Sequence, residues 1–213
     1  LYAQLTGTTV DYGAAHSAAH SHARYGIAYD RPLFDGWGTR RAVNLVGHSF
    51  GGATTRLFLE LMANGSAEEV AAAKAAGTTP SPLFTGGKSS WVHSMTEVAA
   101  PHNGTTFIES NGTIMDVSTN LAETLAKGFG ITELKNLLDF QLEQFGIYKD
   151  SDETVLETLQ RVFSTDFLSH NDNAFLDLTI DKSLEINDGI GIEPNVYYFS
   201  YAGNQTVQDP VSG

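Results

Sequence analysis

Residues 41–64 constrain the fold of this 213-residue chain more than any other stretch. Arg41-Ala42-Val43-Asn44-Leu45-Val46-Gly47 is a short β-rich run, and from Gly52 the apolar positions Leu57, Leu59, Leu61 and Met62 fit a helix that stops at Asn64-Gly65. Between them stands Gly47-His48-Ser49-Phe50-Gly51, a G-x-S-x-G pentapeptide in the strand-to-helix setting that this motif requires. A strained turn of this kind exposes a serine hydroxyl. Glycines two residues to either side let strand and helix approach, and the helix N-terminus favours negative charge developing there. Ser49 is therefore the candidate nucleophile, and the backbone N–H of Phe50 a candidate oxyanion donor.

The rest of the pattern extends this unit. Ser66-Ala67-Glu68-Glu69 reads as a capping box opening a second, Ala-rich helix to about Ala76, followed by a Gly, Thr, Pro and Ser-rich loop through Ser81. Residues 91–99 read as a second core strand ending at Pro101, and residues 195–201 as a third. Strands separated by long helical stretches imply a parallel sheet with crossover connections. Residues 107–165 read as mainly helical, with Ile114, Val117, Leu121 and Leu125 on one face and Leu134, Leu137, Leu138 and Leu142 on another. That insertion is too large for a connector. The sequence holds no internal repeat and no low-complexity tract.

Composition removes several function classes. Lys and Arg total 12 against 25 Asp and Glu, a net charge of −13, and no basic stripe is available to hold a phosphate backbone. Nucleic acid and anionic membrane surfaces are thus poor partners. There is no cysteine, which excludes a disulfide framework, a thiolate zinc cluster and a cysteine nucleophile. Apolar residues make up 41% and charged residues 17%, a balance that suits a folded domain. No apolar run approaches the ~18 residues of an integral membrane segment. The opening Leu1-Tyr2-Ala3-Gln4-Leu5 has neither Met nor signal peptide and reads as an internal start.

A serine nucleophile needs a base and an orienting acid, which on an elbow of this type follow in the order Ser, Asp or Glu, then His. After Ser49 come only His93, inside a predicted strand, His102, directly after Pro101, and His170. Within the chain itself His170 is the late histidine, with Asp139, Asp150 or Asp166 as acid; spacing favours none of the three. His16, His20 and His22 form a separate cluster whose imidazoles, with a carboxylate, make a zinc-type ligand set. On a helix His16 and His20 share a face at i, i+4. The pair His16 and His22 requires the helix to end or bend between them.

With these features in hand the chain resembles the secreted bacterial true lipases of the thermoalkalophilic bacillus and staphylococcal group, together with related clostridial esterases and polyesterases. The residues that carry the likeness are Thr9-Val10-Asp11-Tyr12-Gly13-Ala14-Ala15-His16, His22-Ala23-Arg24-Tyr25-Gly26, Val46-Gly47-His48-Ser49-Phe50-Gly51-Gly52, Ser81-Pro82-Leu83-Phe84-Thr85-Gly86-Gly87, Ala100-Pro101-His102-Asn103-Gly104-Thr105 and Asp172-Asn173-Ala174-Phe175-Leu176-Asp177-Leu178. The resemblance implies an α/β-hydrolase fold, a mainly parallel sheet with flanking helices, over residues 1–213 as a single domain incomplete at both ends. Residues 107–165 would be its helical lid insertion. It implies a secreted enzyme that hydrolyses acylglycerols or other carboxylic esters at a lipid–water interface, through an acyl-enzyme on Ser49. It also implies a structural zinc held by His16, His22 and Asp172, with His20 only a neighbour.

The same resemblance places a fourth zinc ligand, an aspartate, and the second oxyanion donor upstream of Leu1. It places the catalytic Asp and His, and any calcium ligands, downstream of Gly213. Asn187-Asp188-Gly189-Ile190 looks like the family's catalytic-acid tetrapeptide, but its position ahead of Pro194-Asn195-Val196 matches an earlier helix end. The chain is thus expected to be an interior piece of a longer enzyme. Two readings from other classes compete: a metal-dependent hydrolase whose His16, His20 and His22 hold a catalytic zinc, and a catalytically silent binding module.

Overall fold

The computed structural model describes residues 1–106 and 172–203. The expected lid insertion at 107–165, His170, and the candidate acids Asp139, Asp150 and Asp166 lie outside the described residues. Among those described, β3 (Val43–His48), β4 (Val92–Val98) and β5 (Tyr197–Tyr201) form a three-stranded sheet in the order β3-β4-β5. Both pairings are parallel, as the crossover pattern predicts, with His48 opposite Val98 and Val98 opposite Tyr201. The strand ends expected from sequence shift by one to two residues: Trp91 belongs to a short 3-10 turn, Ser89–Trp91, that precedes β4.

Helix α3 (Phe50–Asn64) packs on one face of this sheet. Its buried stripe is Gly52, Thr55, Phe58, Leu59 and Met62, spaced three and four apart as a helix requires. Leu57, one of the positions that suggest the helix in the sequence, instead faces outward. The stripe meets Leu45, Val92 and Met95 from the strands, and Trp37 and Val196 close the core. Met62 is fully buried, so truncation to Ala would cost about 2–5 kcal/mol. The indole of Trp37 stacks near Phe58 and donates Nε1–H to Trp91 O at 3.0 Å, so its polar atom is satisfied inside the core. The helix stops where expected, because Gly65 takes φ 70° and donates its N–H to Leu61 O at 3.0 Å.

The N-terminal segment forms a separate ribbon that the sequence did not suggest. Helix α1 (Tyr2–Thr6) leads into β1 (Thr9–Asp11), which pairs antiparallel with β2 (Tyr25–Ala28) and carries an irregularity between Thr9 and Asp11. Helix α2 (Ala14–His20) lies between these two strands and packs against α4 (Ala67–Ala75). After residue 172, α5 (Ala174–Asp177) and α6 (Ile180–Asp188) lead to β5. Asn187-Asp188-Gly189-Ile190 is accordingly a helix end. On the second face and edge of the sheet, Val46, Tyr197, Phe199 and Tyr201 are exposed.

Candidate active site and metal centre

Ser49 sits at the carboxyl end of β3 with φ 54° and ψ −126°, a conformation that L-residues rarely adopt and that persists only when the surroundings impose it. Three contacts do so. Ser49 N–H donates to Val98 O at 2.9 Å, holding the turn to the neighbouring strand, and Ser49 O accepts from Gly52 N–H at 3.0 Å. A Cβ at Gly47 would lie 2.5 Å from Gly52 Cα and 2.7 Å from Gly51 O, so backbone meets backbone where β3 turns into α3.

The structure revises the reason for the second glycine of the motif. A Cβ at Gly51 would meet nothing within 4 Å among the described residues, whereas one at Gly52 would overlap the Glu97 carboxyl and the Ala100 methyl. Gly52, not Gly51, is the sterically required residue. The Ser49 side chain makes no capping bond to α3, so its hydroxyl is not consumed by the helix it precedes. Phe50 N–H, the first of that helix, has no carbonyl one turn earlier in the helix to bond to, and it adds to the positive N-terminal field. Phe50 itself projects a half-exposed ring.

Neither described histidine after Ser49 is bonded to it. His93 lies near the amino end of β4, away from the elbow, with its ring 5.3 Å from that of Tyr197. His102 follows β4 on the elbow's side of the sheet. Burial, with a smaller contribution from the Arg56 charge, holds its pKa below the ordinary value. The Arg56 guanidinium is in turn hydrogen-bonded to Asn187 Oδ1, and Asn187 Nδ2 donates to His102 O at 2.6 Å and Asn103 Oδ1 at 3.0 Å. This network ties α3, the loop after β4 and the end of α6 together around a cavity of about 300 Å³, which Phe50, Leu57, His102 and Ile186 help to line.

The histidine cluster resolves into one of the two pairs left open by spacing. Helix α2 ends at His20 because Ser21 adopts the left-handed conformation, φ 58°, and His22 N–H bonds back to Ser17 O at 3.1 Å. That bend brings His22 beside His16, with ring centroids 5.0 Å apart. His16 Nε2 and His22 Nε2 each lie 3.3 Å from Asp172 Oδ2, and one donor atom from each of the three residues lies within 4.8 Å of the others. The His20 ring lies 4.7 Å from that of His16, tilted by 41°, but is outside this group. With Nδ1–H of His22 donating to Ala23 O at 2.9 Å, its buried Nε2 has no hydrogen-bond partner among the described residues and faces the Asp172 carboxylate. Lone pairs converging in this way, with a carboxylate, fit a shared metal cation.

The helix that supplies His16 is held from outside. Ser66 Oγ accepts Glu69 N–H at 3.2 Å, which is half of the capping box expected from sequence. The other half is not made. The Glu69 side chain is buried and turns to α2, where its two oxygens accept Ala15 N–H at 2.8 Å and His16 N–H at 2.9 Å. The vacated Ser66 N–H donates to Phe84 O at 2.9 Å instead.

The family model described as "Lipase-like, C-terminal domain" matches residues 1–213. The chain belongs to this family. As a member of the lipase-like family it is 37% identical over 211 residues to Lipase 2 of Staphylococcus aureus, an alignment that takes in 99% of this chain and 30% of that protein. Among solved structures it resembles EstA from Clostridium botulinum, with 32% identity, TM-score 0.79, and coverage of 93% of this chain and 45% of the other. It also resembles Lipase 1 from Pelosinus fermentans, with 40% identity, TM-score 0.77, and coverage of 93% and 52%. The lipase-like chain thus spans about 30% of the length of the staphylococcal relative.

Proposed function

We propose that this chain carries the nucleophile and sheet core of a carboxylic ester hydrolase, a triacylglycerol lipase or esterase acting through an acyl-enzyme on Ser49. The observation that carries the reading is the elbow: a non-glycine residue at φ 54°, between a parallel strand and a helix N-terminus, in a chain whose relatives are named lipases. Ser49 Oγ would attack the ester carbonyl carbon while a histidine base takes its proton, and the oxyanion would form against Phe50 N–H. Collapse of that intermediate expels the alcohol, and water then releases the acid. In the full-length protein Ser49→Ala should lower kcat by on the order of ~10⁶, the cost of removing a triad serine. Activity that survived this change and fell with a chelator would hand the reaction to the histidine cluster.

The same reading extends to the α/β-hydrolase fold over residues 1–213, to secretion, and to residues 107–165 as a lid covering the acyl site. The apolar faces legible in residues 107–165 support the lid, since an apolar surface turned to an oily interface gains about 25 cal/mol per Å² removed from water. Deleting 111–127 should change the ratio of activity on emulsified and dissolved esters; an unchanged ratio rejects the lid. Recovery of the natural protein only from cells, never from the culture medium, rejects secretion.

For the cluster at His16, His22 and Asp172 we assign a structural zinc. When bound it would pin the end of α2 to the segment entering α5, without activating water, because Ser49 already supplies the nucleophile.

A further inference from the structure

We propose that Glu97 is a positioning residue for Ser49: its carboxyl, wedged between the sheet and the first turn of α3, fixes the elbow and couples it to the carboxyl's own ionisation. This inference rests on the reading of Ser49 as nucleophile. Glu97 stands opposite Gly47 in the β3–β4 register, on the face that α3 covers. Gly47 and Gly52 bring strand and helix into contact, and the Glu97 side chain fills the space beside that contact. It is only 5% exposed, an unusual burial for a glutamate with no ion pair among the described residues.

The proton count around it favours one charge state. Thr55 Oγ1 lies 3.0 Å from Glu97 Oε1, 3.0 Å from Gly51 O and 3.0 Å from Gly52 O, so one hydroxyl proton is shared among three acceptors. Glu97 Oε2 is buried with no hydrogen-bond partner among the described residues. An ionised Glu97 takes the Thr55 proton from the carbonyls of the first turn and still leaves a charged oxygen unsatisfied. A neutral Glu97 donates to Thr55 Oγ1 instead, and the Thr55 proton returns to Gly51 or Gly52.

Burial pushes the carboxyl above the ordinary glutamate range, against the Thr55 hydrogen bond and the Arg56 charge. The elements around Glu97 present few other titratable groups. β3 presents Gly47, α3 presents Gly52, Thr55 and the Arg56 guanidinium, the segment after β4 presents Ala100, and β5 pairs Ser200 with it. A negative charge under the first turn would oppose the oxyanion that the same turn is built to stabilise. Activity per folded molecule therefore falls as Glu97 ionises.

The test compares wild type with Glu97→Gln and Glu97→Ala in the full-length protein. Gln keeps the shape and the bond to Thr55 but cannot ionise. Fluorophosphonate labelling, with the adduct mapped by mass spectrometry, and kcat on a soluble nitrophenyl ester are followed between about pH 5 and pH 9. The Glu97→Gln to wild-type ratio should stay near one at the acid end and rise by about tenfold at the alkaline end, the scale of one charge acting through protein. Glu97→Ala should be slower than Glu97→Gln at every pH. Titration of the shared catalytic base cancels in these ratios. A flat Glu97→Gln ratio with Ser49 labelled overturns this inference alone, as does an Ala variant as fast as the Gln variant. Absence of a Ser49 adduct in wild type overturns the nucleophile reading as well.

Discussion

Glu69 Oε1 accepts the main-chain N–H of His16 at 2.9 Å, across 53 positions of sequence. The carboxylate sits at the start of α2, where the N–H of Ala15 also reaches it, and so caps the helix that presents His16. Glu69→Ala should cost about 2–3 kcal/mol, since it removes both a cap and charge-assisted bonds. Zinc affinity should fall with it, because His16 loses its anchor. Urea denaturation and a zinc titration on the purified full-length variant check both; unchanged affinity would detach the cap from the metal centre.

The choice of ligands has its own test. His22→Ala should abolish stoichiometric zinc while His20→Ala retains it, as measured by elemental analysis of the full-length protein. Chelation should lower Tm before it lowers the rate per folded molecule. The stabilisation at stake is about 2.7 kcal/mol when free zinc stands at ~100 times its Kd. Loss of zinc in the His20 variant with retention in the His22 variant would select the helical pair instead.

Asp11 and Arg24 join the β1–β2 ribbon through two 2.8 Å bonds, and Arg24 reaches on to Thr78 Oγ1 at 2.7 Å. Burial raises the Asp11 pKa, but the Arg24 hydrogen bond, the N–H groups of Gly13 and Ser81, and the Arg24 charge outweigh it, leaving the group below its ordinary value. Because the folded pKa is the depressed one, the contribution is full above the unfolded value near ~3.9 and is lost as pH falls through the folded value. Asp11→Asn should cost about 1–3 kcal/mol at neutral pH by leaving the half-buried Arg24 guanidinium without its carboxylate, and should flatten the acid limb of the stability curve. An acid limb identical to wild type would remove Asp11 from that account.

The glycines after the nucleophile should separate cleanly. Gly52→Ala pushes a methyl into Glu97 and Ala100, and should destabilise by about 1–3 kcal/mol. Gly51→Ala enters open space and should be neutral or stabilising by up to ~1 kcal/mol, since alanine is the better helix former. Equal losses in urea midpoints would show that both positions are sterically closed.

What could be read from residue order was whatever local chemistry decides. The β3–Ser49–α3 unit announces itself because glycine spacing, a β-rich run and an apolar helical stripe agree within 25 residues. Ser66 and Glu69 also show the limit of that reading. The spacing identifies a helix start, but the buried Glu69 carboxylate goes to the N–H groups of another helix, a partner that no local pattern encodes. The β1–β2 ribbon escapes for a different reason, because β1 is three residues long and irregular in register, too short for alternation to appear. Asp172 joins His16 and His22 only by return of the chain over 150 positions, so helical periodicity alone leaves the choice between His20 and His22 open. Glu97 carries one visible sign, an acidic residue inside a run that reads as a core strand, and nothing in the order of residues says what lies against it.

The two strand pairings of the parallel sheet differ sharply in how far the chain must travel. His48 meets Val98 after 50 positions with α3 already packed in the crossover, whereas Val98 meets Tyr201 only after more than 100. Closing the longer loop costs more chain entropy before any contact repays it, so β3, α3 and β4 should form first and β5 should dock later. Pulse-labelled hydrogen exchange during refolding should protect amides of Val46 and Met95 before those of Phe199, and simultaneous protection would contradict this order. The Ser49 turn is closed by its bond to Val98, and both residues belong to that first-forming unit, so on this order the strained elbow should be set before the last strand arrives.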